Sequence, residues 1–316
     1  MKYIFGPVPS RRLGLSLGVD VTPYKTCTLD CVYCECGRTN HKTMERKPYV
    51  SFPEVMAELT KFLKQDIHTD YITFSGSGEP TLNSDLGKMI REIKNLTKIP
   101  VAVLTNGTML FLPEVRKELL AADLVLPSLD SARWDSFIKV DRPVTGLSME
   151  KIIEGIKIFK NEFKGKIWLE ILFSRKMNDS AEDINTLIQV IRSIKPDKVQ
   201  LNTVERPPAE SFALPLEPKE LTEIKKKFDT NGIKAEIIAA FIKKGLPSNL
   251  KENDLKEQIL NVIKRRPETS QGLALALGID PVRIQELIKE MIREKQIFIC
   301  PSSGKKEKYY SFQKDN

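Results

Sequence analysis

Between residues 13 and 208 the chain repeats one pattern, and nothing else in the sequence constrains the fold as strongly. A short run of β-forming residues leads into a polar or glycine-rich stretch, and an amphipathic helix follows. Strand runs read at about 13–23, Tyr71–Phe74, Val101–Leu104, Leu124–Leu126, Ile167–Phe173 and Lys198–Leu201. Helices read at about 52–66, 84–96, 113–121, 148–162 and 180–194. Ser51-Phe52-Pro53-Glu54 is a capping box with proline near the helix start, and Ser148 caps a later helix. Such units pair their strands in parallel and lay helices over the sheet. About six units fall short of the eight that close a barrel. The expected fold is therefore α/β: a partial (β/α)6 TIM-like barrel over residues 1–243.

In parallel barrels the chemistry gathers at the C-terminal strand ends. Here those ends carry Gly76-Ser77-Gly78-Glu79-Pro80, Thr105-Asn106-Gly107, Ser128-Leu129-Asp130 and Asn202 through Arg206. Each also reads as an ordinary turn. Asp130 either faces the site or caps a helix starting near Ser131. Glu170 interrupts an apolar strand, and a buried acid needs a partner. Facing inward it meets cofactor or substrate; facing outward it is a solvated edge. Arg206 is a fixed cation with a planar donor fork. It either binds a substrate carboxylate or phosphate, or pairs with a nearby acid. Arg11 and Arg12 are placed to guard the mouth. The only histidines, His41 and His68, lie away from the strand ends, so histidine acid–base work is not the expected centre.

The first strand delivers KTCTLDCVYCECG, residues 25–37, which holds four of the five cysteines. Composition is that of a globular chain, 41% hydrophobic and 29% charged. No apolar run approaches the roughly 18–20 residues of a membrane span, and the start does not read as a signal peptide. The expected compartment is the cytoplasm, where thiols stay reduced and disulfides are disfavoured. Structural zinc usually takes two ligand pairs set about a dozen residues apart, and no second CxxC pair occurs. Two options remain: a compact zinc knot from Cys27, Cys31, Cys34 and Cys36, or a [4Fe–4S] cluster on three thiolates with one iron left open.

Cys27-x3-Cys31-x-Tyr33-Cys34 resembles the signature of the radical S-adenosylmethionine enzymes. The resemblance implies that Cys27, Cys31 and Cys34 hold the cluster and that S-adenosylmethionine chelates the open iron. One electron, from reduced flavodoxin or ferredoxin, would cleave it to methionine and a 5′-deoxyadenosyl radical that abstracts hydrogen from substrate. The family places a Gly-Gly-Glu-like stretch at Gly76, Ser77, Gly78 and Glu79, with Ser77 where glycine is usual; its backbone and acid would meet the cofactor's amino group. Tyr33, Thr105, Asn106, Ser128, Asp130 and Asn202 would complete the cofactor contacts, with Glu170 and Arg206 as candidate catalytic residues. GPVPSRRLGLSLGVDVTPYKTCTLDCVYC, with SGSGEPTLN and LNTVERPP, is similar more narrowly to iron–sulfur oxidoreductases related to the wyosine base synthases of tRNA. That similarity spans roughly residues 1–240. Those synthases have further cysteines before the motif and lack the C-terminal module; here no cysteine precedes Cys27. The relationship therefore implies chemistry, and leaves a tRNA base, a ribosomally made peptide or a small metabolite as substrate.

Residues 244–253 read as a linker and 254–316 as a small domain. Helices at 254–264, 269–277 and 281–295, with strands at 296–300 and 308–312 around the turn PSSGKKEK, resemble a winged helix. Ile284, Leu287, Ile288, Met291 and Ile292 form the core stripe of the third helix. Its open face alternates acids and bases, Arg283, Glu286, Lys289, Glu290, Arg293 and Glu294, whereas a duplex-binding helix calls for fewer acids. Lys305, Lys306 and Lys308 suit phosphate, with Glu307 among them. A net charge of +8 permits a polyanion without demanding one. The partners expected through this domain are tRNA or a peptide substrate, with no membrane. A non-catalytic metal-binding DNA regulator is the competing class.

Overall fold

The structure, a computed structural model, describes residues 2–65, 67–238, 252–265, 267–300 and 307–312. Its first strands are β1 (Ile4–Ser10), β2 (Gly14–Val19) and the short β3 (Thr26–Cys27) and β4 (His41–Lys42). Then come α1 (Phe52–Leu63), β5 (Tyr71–Phe74), α2 (Leu86–Leu96), β6 (Val101–Thr105), α3 (Pro113–Leu119) and β7 (Leu124–Pro127). After these follow α4 (Trp134–Asp141), α5 (Met149–Glu162), β8 (Lys166–Phe173), α6 (Ala181–Ile194), β9 (Lys198–Thr203), α7 (Pro218–Thr230) and β10 (Ala235–Ile237). One sheet of 8 strands runs in the order β1-β2-β5-β6-β7-β8-β9-β10. All neighbours pair in parallel except β1, which runs antiparallel to β2.

The six expected strand–helix units are present, and the sheet is wider than they are. β10 extends one edge and β1 the other. Pro7 and Pro9 argue against a strand in a sheet centre, but an edge strand tolerates them because only one side needs its donors. The helices begin where their caps lie: Ser51, Ser148 and Ser180 each accept a bond from the backbone of the first turn. α4 starts at Trp134, and the sequence reading passed over α7. The linker expected at 244–253 lies outside the described residues as far as 251.

Alternation along β8 explains how the sheet carries both a core and a site. Ile167, Leu169, Ile171 and Phe173 are buried under the helices in one large apolar cluster. Glu170 and Leu172 point to the opposite face, into a cavity. This settles the orientation of Glu170 as inward.

The C-terminal segment adds α8 (Glu252–Ile263), β11 (Glu268–Thr269), α9 (Ser270–Leu277), α10 (Pro281–Arg293), β12 (Phe298–Cys300) and β13 (Tyr309–Ser311). Its three strands order β11-β13-β12, antiparallel. Asp280 caps α10 with Pro281 at its first position. Lys305 and Lys306 lie outside the described residues. Ile284, Leu287, Ile288 and Met291 share a core with Leu255, Ile259 and Leu273, and Cys300 is buried. Phe5 and Val8 of β1 belong to that same core. The Phe5 ring lies across Gly18, where any Cβ would overlap it. The module is thus seated on the sheet's antiparallel edge. Truncating Phe5 to Ala should cost about 3–5 kcal/mol. Urea unfolding read by intrinsic fluorescence checks this, and a loss below 1 kcal/mol would mean that the edge and the module do not share a core.

Candidate active site

The cysteine loop is held at both ends by backbone bonds. Thr26 and Cys27 pair in parallel with His41 and Lys42. Asp30 N donates to Asp141 O at 3.0 Å and Val32 N to Val140 O at 2.9 Å, tying the loop to α4. Cys27, Cys31 and Cys34 face a cavity of ≈ 370 Å³, whose wall also includes Glu79, Asn106, Asp130, Glu170, Asn202 and Arg206. Tyr33, Gly76, Gly78, Thr105 and Ser128 line it too. The strand ends singled out by the sequence therefore converge on one space.

The thiols sit in a costly environment. Burial and the Glu79 carboxylate push Cys27 up to about 12. Burial and Asp141 push Cys31 well above the usual thiol range. Cys34 is drawn down by a thiol hydrogen bond from Cys36, with help from the Lys25 ammonium, whose Nζ lies 3.0 Å from Cys34 Sγ. Buried thiols of this kind ionise when a cationic centre takes them as ligands. Among the described residues no three His, Cys, Asp or Glu side chains are drawn together as ligands of a single ion. In a [4Fe–4S] cluster each thiolate binds its own iron. The donor set fits the cluster. Cys36 lines the same cavity, and its thiol proton is shared between Cys34 and Arg265 O, which lies 2.9 Å from its Sγ.

A group of buried acids backs the loop. Asp130 Oδ1 accepts from Leu172 N at 2.7 Å and its Oδ2 from the Tyr33 hydroxyl, so it joins the loop to β8 and does not cap a helix. Burial lifts Asp130 to about 6, and burial with the nearby Asp130 charge lifts Asp141 well above the carboxylate range. The Cys31 thiol donates to Asp141 Oδ1 at 3.2 Å, while Asp141 Oδ2 is buried without a partner.

Several expected roles change. Glu79 is 2% exposed, and its Oε1 accepts from Thr81 N, the Thr81 hydroxyl and the Thr105 hydroxyl while Oε2 accepts from Asn106 N. It orders two strand ends from within the cavity wall. Ser77 turns away from the cavity: its N and hydroxyl donate to Asp20 Oδ2 at 3.1 and 2.7 Å. That bond explains serine where glycine was expected. Gly78 is required by the loop itself, since a Cβ there would overlap Thr26 O. Asn106 donates to the Thr28 hydroxyl at 2.7 Å and lies 3.4 Å from Cys27 Sγ, so its amide braces the cluster loop. Asn202 donates to Glu170 Oε1 at 3.0 Å, and Arg12 pairs with the same oxygen. Arg206 is clamped by Glu35 at 3.0 Å and Glu268 at 3.1 Å, and so is not a free cation awaiting an anion. Arg11 pairs with Glu205.

Sequence reasoning missed Lys25, Asp20, Asp141 and the contribution of the C-terminal module. Lys25 adjoins the motif and is 3% exposed, a signal that proximity alone could have raised. Asp141, Glu268 and Arg265 meet the site only through tertiary folding.

The chain matches the model of the Radical SAM superfamily over residues 21–188. It is 40% identical over 94% of its length to a protein named GTPase Obg from Brachyspira hyodysenteriae, of which it spans 43%. It is 32% identical to a UPF0026 protein of Methanocaldococcus jannaschii, covering 96% of this chain and 95% of that one. Among solved structures it resembles a radical SAM methyltransferase from Sphaerobacter thermophilus, with TM-score 0.54, 18% identity, and 70% and 66% of the two chains covered.

Asp130 gives the site a pH signature. Its folded value, about 6, lies above the ordinary 3.8 because burial disfavours its charge. The native chain therefore holds a proton that the unfolded chain releases, and stability falls as pH rises through that interval. Thermal midpoints of the metal-free wild type, relative to Asp130→Asn, should decline from about pH 4 to about pH 6. A flat difference would refute the buried-acid account.

Proposed function

The chain belongs to the Radical SAM superfamily, and on that premise we propose that it cleaves S-adenosylmethionine reductively and removes a hydrogen atom from its substrate. Members of that superfamily bind a [4Fe–4S] cluster and S-adenosylmethionine. The observation that carries the reading is the placing of Cys27, Cys31 and Cys34 on one loop facing a cavity ringed by strand ends. The chemistry supplied when both groups are bound is one-electron scission of the sulfonium to methionine and a 5′-deoxyadenosyl radical.

The protein's own residues bind, orient and enclose. Cys27, Cys31 and Cys34 hold the cluster. Lys25 offsets thiolate charge at Cys34. Glu79 and Asn106 fix the β5 and β6 ends against the loop and so would shape the cradle for a cofactor. Tyr33 and Asp130 close the floor beside β8. Glu170, with Arg12 and Asn202, forms the polar wall across the cavity and is the candidate contact to substrate. Arg206 acts by holding Glu35 and Glu268 together over the mouth.

The architecture we assign is a partial (β/α) barrel with a winged-helix-like module. The narrower sequence resemblance to the wyosine-related oxidoreductases supports a tRNA base as the first substrate reading. One observation favours a second, a peptide or small metabolite: charges of α10 are already paired, Arg283 with Glu286 of the same helix at 2.9 Å and Glu290 with Lys256 of α8 at 2.7 Å. That leaves a weak field for phosphate. GTP hydrolysis is not carried over, because the chain has no G-x-x-x-x-G-K-[ST] loop. Reduced flavodoxin or ferredoxin is the proposed electron donor. Among the described residues no helix is long and apolar enough to cross a membrane, and the reduced thiols suit the cytoplasm.

Anaerobically reconstituted protein with dithionite and S-adenosylmethionine should form 5′-deoxyadenosine, measured by chromatography, and Cys31→Ala should lower the yield by at least about a hundredfold. Stimulation by bulk tRNA would select the RNA substrate; indifference to it would select peptide or metabolite. An intact cluster with no product would overturn the enzyme reading.

A further inference from the structure

Four contacts between the C-terminal module and the barrel, to Lys2, Phe5, Asp20 and Cys36, pass through one residue, Arg265, just beyond α8. Its side chain is 10% exposed and stacks over the Phe5 ring at 4.4 Å. Its terminal nitrogens donate to Asn261 O at 2.8 Å and Lys2 O at 3.1 Å, which hold the guanidinium in one orientation. Its Nε lies 3.6 Å from Asp20 Oδ2 and is buried without a hydrogen-bond partner. Its carbonyl oxygen accepts the Cys36 thiol at 2.9 Å.

Both receiving residues lead directly to the site. Asp20 accepts from Ser77 N and its hydroxyl. It also occupies the space beside Gly76, where a Cβ would overlap the carboxylate and where φ is +147°. Asp20 therefore shapes the β5 end. Cys36 stands two residues from the ligand Cys34 in the same loop. A second ion pair runs alongside: Glu268, at the start of β11, joins Glu35 in clamping Arg206. Val262 and Arg265 themselves line the cavity.

With the module lifted away, Asp20 would lose the guanidinium that lies 3.6 Å from its Oδ2. The strand end that it shapes would relax. Docking of the module and the shape of the cradle are therefore one equilibrium, and a ligand that needs the cradle must also favour docking.

We propose that Arg265 is a positioning residue: through Asp20 and Cys36 it holds the Gly76–Glu79 stretch and the cysteine loop in their binding geometry, and bound S-adenosylmethionine in turn holds the module closed over the cavity. The proposal rests on the reading that this cavity takes S-adenosylmethionine.

The test uses the full reconstituted chain, labelled S-adenosylmethionine in equilibrium dialysis, and hydrogen exchange of the α8 amides with and without that ligand. Arg265→Ala should weaken binding about tenfold while cluster absorbance is retained. Arg265→Lys, which keeps the charge but not the fork, should lose less. Lys289→Ala on the outer face of α10 should bind as wild type does. In the wild type the ligand should slow α8 exchange; in Arg265→Ala it should not. A purely structural role would not make α8 exchange respond to the ligand. Should Arg265→Ala fail to fold, Arg265→Lys and wild-type exchange decide the matter. Wild-type protein that binds the ligand with no change at α8, or an Arg265→Ala chain that binds as tightly, overturns the coupling alone. Wild-type protein with an intact cluster that binds no S-adenosylmethionine overturns the cofactor reading together with it.

Discussion

Glu79 is the buried carboxylate on which the rest of the site depends. It leaves the end of β5, accepts bonds from Thr105 and Asn106 at the end of β6, and its own N–H donates to Thr26 O at the head of the cysteine loop. A dehydrated carboxylate without donors would be prohibitive. With four donors it forces two strand ends and the loop into a single arrangement. Asn106 extends the arrangement to Thr28 and Cys27. Two strand ends and the first thiol thus share one hydrogen-bonded network.

Charge is distributed around the cavity with the same economy. Arg11, Arg12, Arg206 and Arg265 each face an acid, and Lys25 faces a thiol. Among the described residues Glu79, Asp130 and Asp141 face no cation, and with Cys27 and Cys31 they are displaced toward their protonated forms by burial. That imbalance is concentrated where a cationic cluster would enter. The module above contributes carboxylate and guanidinium groups to the rim, so the roof of the cavity belongs to the site's electrostatics as much as to its shape.

The sequence alone made the fold class legible because parallel strands and their covering helices leave local signatures: Tyr71–Phe74 and Val101–Leu104 among β formers, Ser51 and Ser148 at helix starts. It failed at β1, where Pro7 and Pro9 interrupt the strand pattern, and at β10, which is only 3 residues long. It failed at α7, where the apolar positions are few in a lysine-rich stretch. Cys27, Cys31 and Cys34 were legible from spacing, since the loop between them is short and its chemistry local. Residue identity at the strand ends was legible; orientation was not. Ser77 was expected to face a ligand and is bonded to Asp20 instead, while Glu79 stands in the cavity wall with its oxygens bonded to Thr81 and the β6 end.

By itself the sequence determined the alternating strand–helix order, the thiol triad and the positions at which polar groups would emerge from the sheet. These follow from near-neighbour chemistry: side-chain period, capping and ligand spacing. Only the tertiary structure decided which of those polar groups are free and which are consumed. Arg206 could be read as a substrate cation until Glu35 and Glu268 reached it from 171 and 62 residues away. Arg265 had no reading at all until folding carried it across 229 positions to Cys36. Long-range ion pairs and buried hydrogen bonds have no local pattern, because their partners are selected by packing and not by spacing.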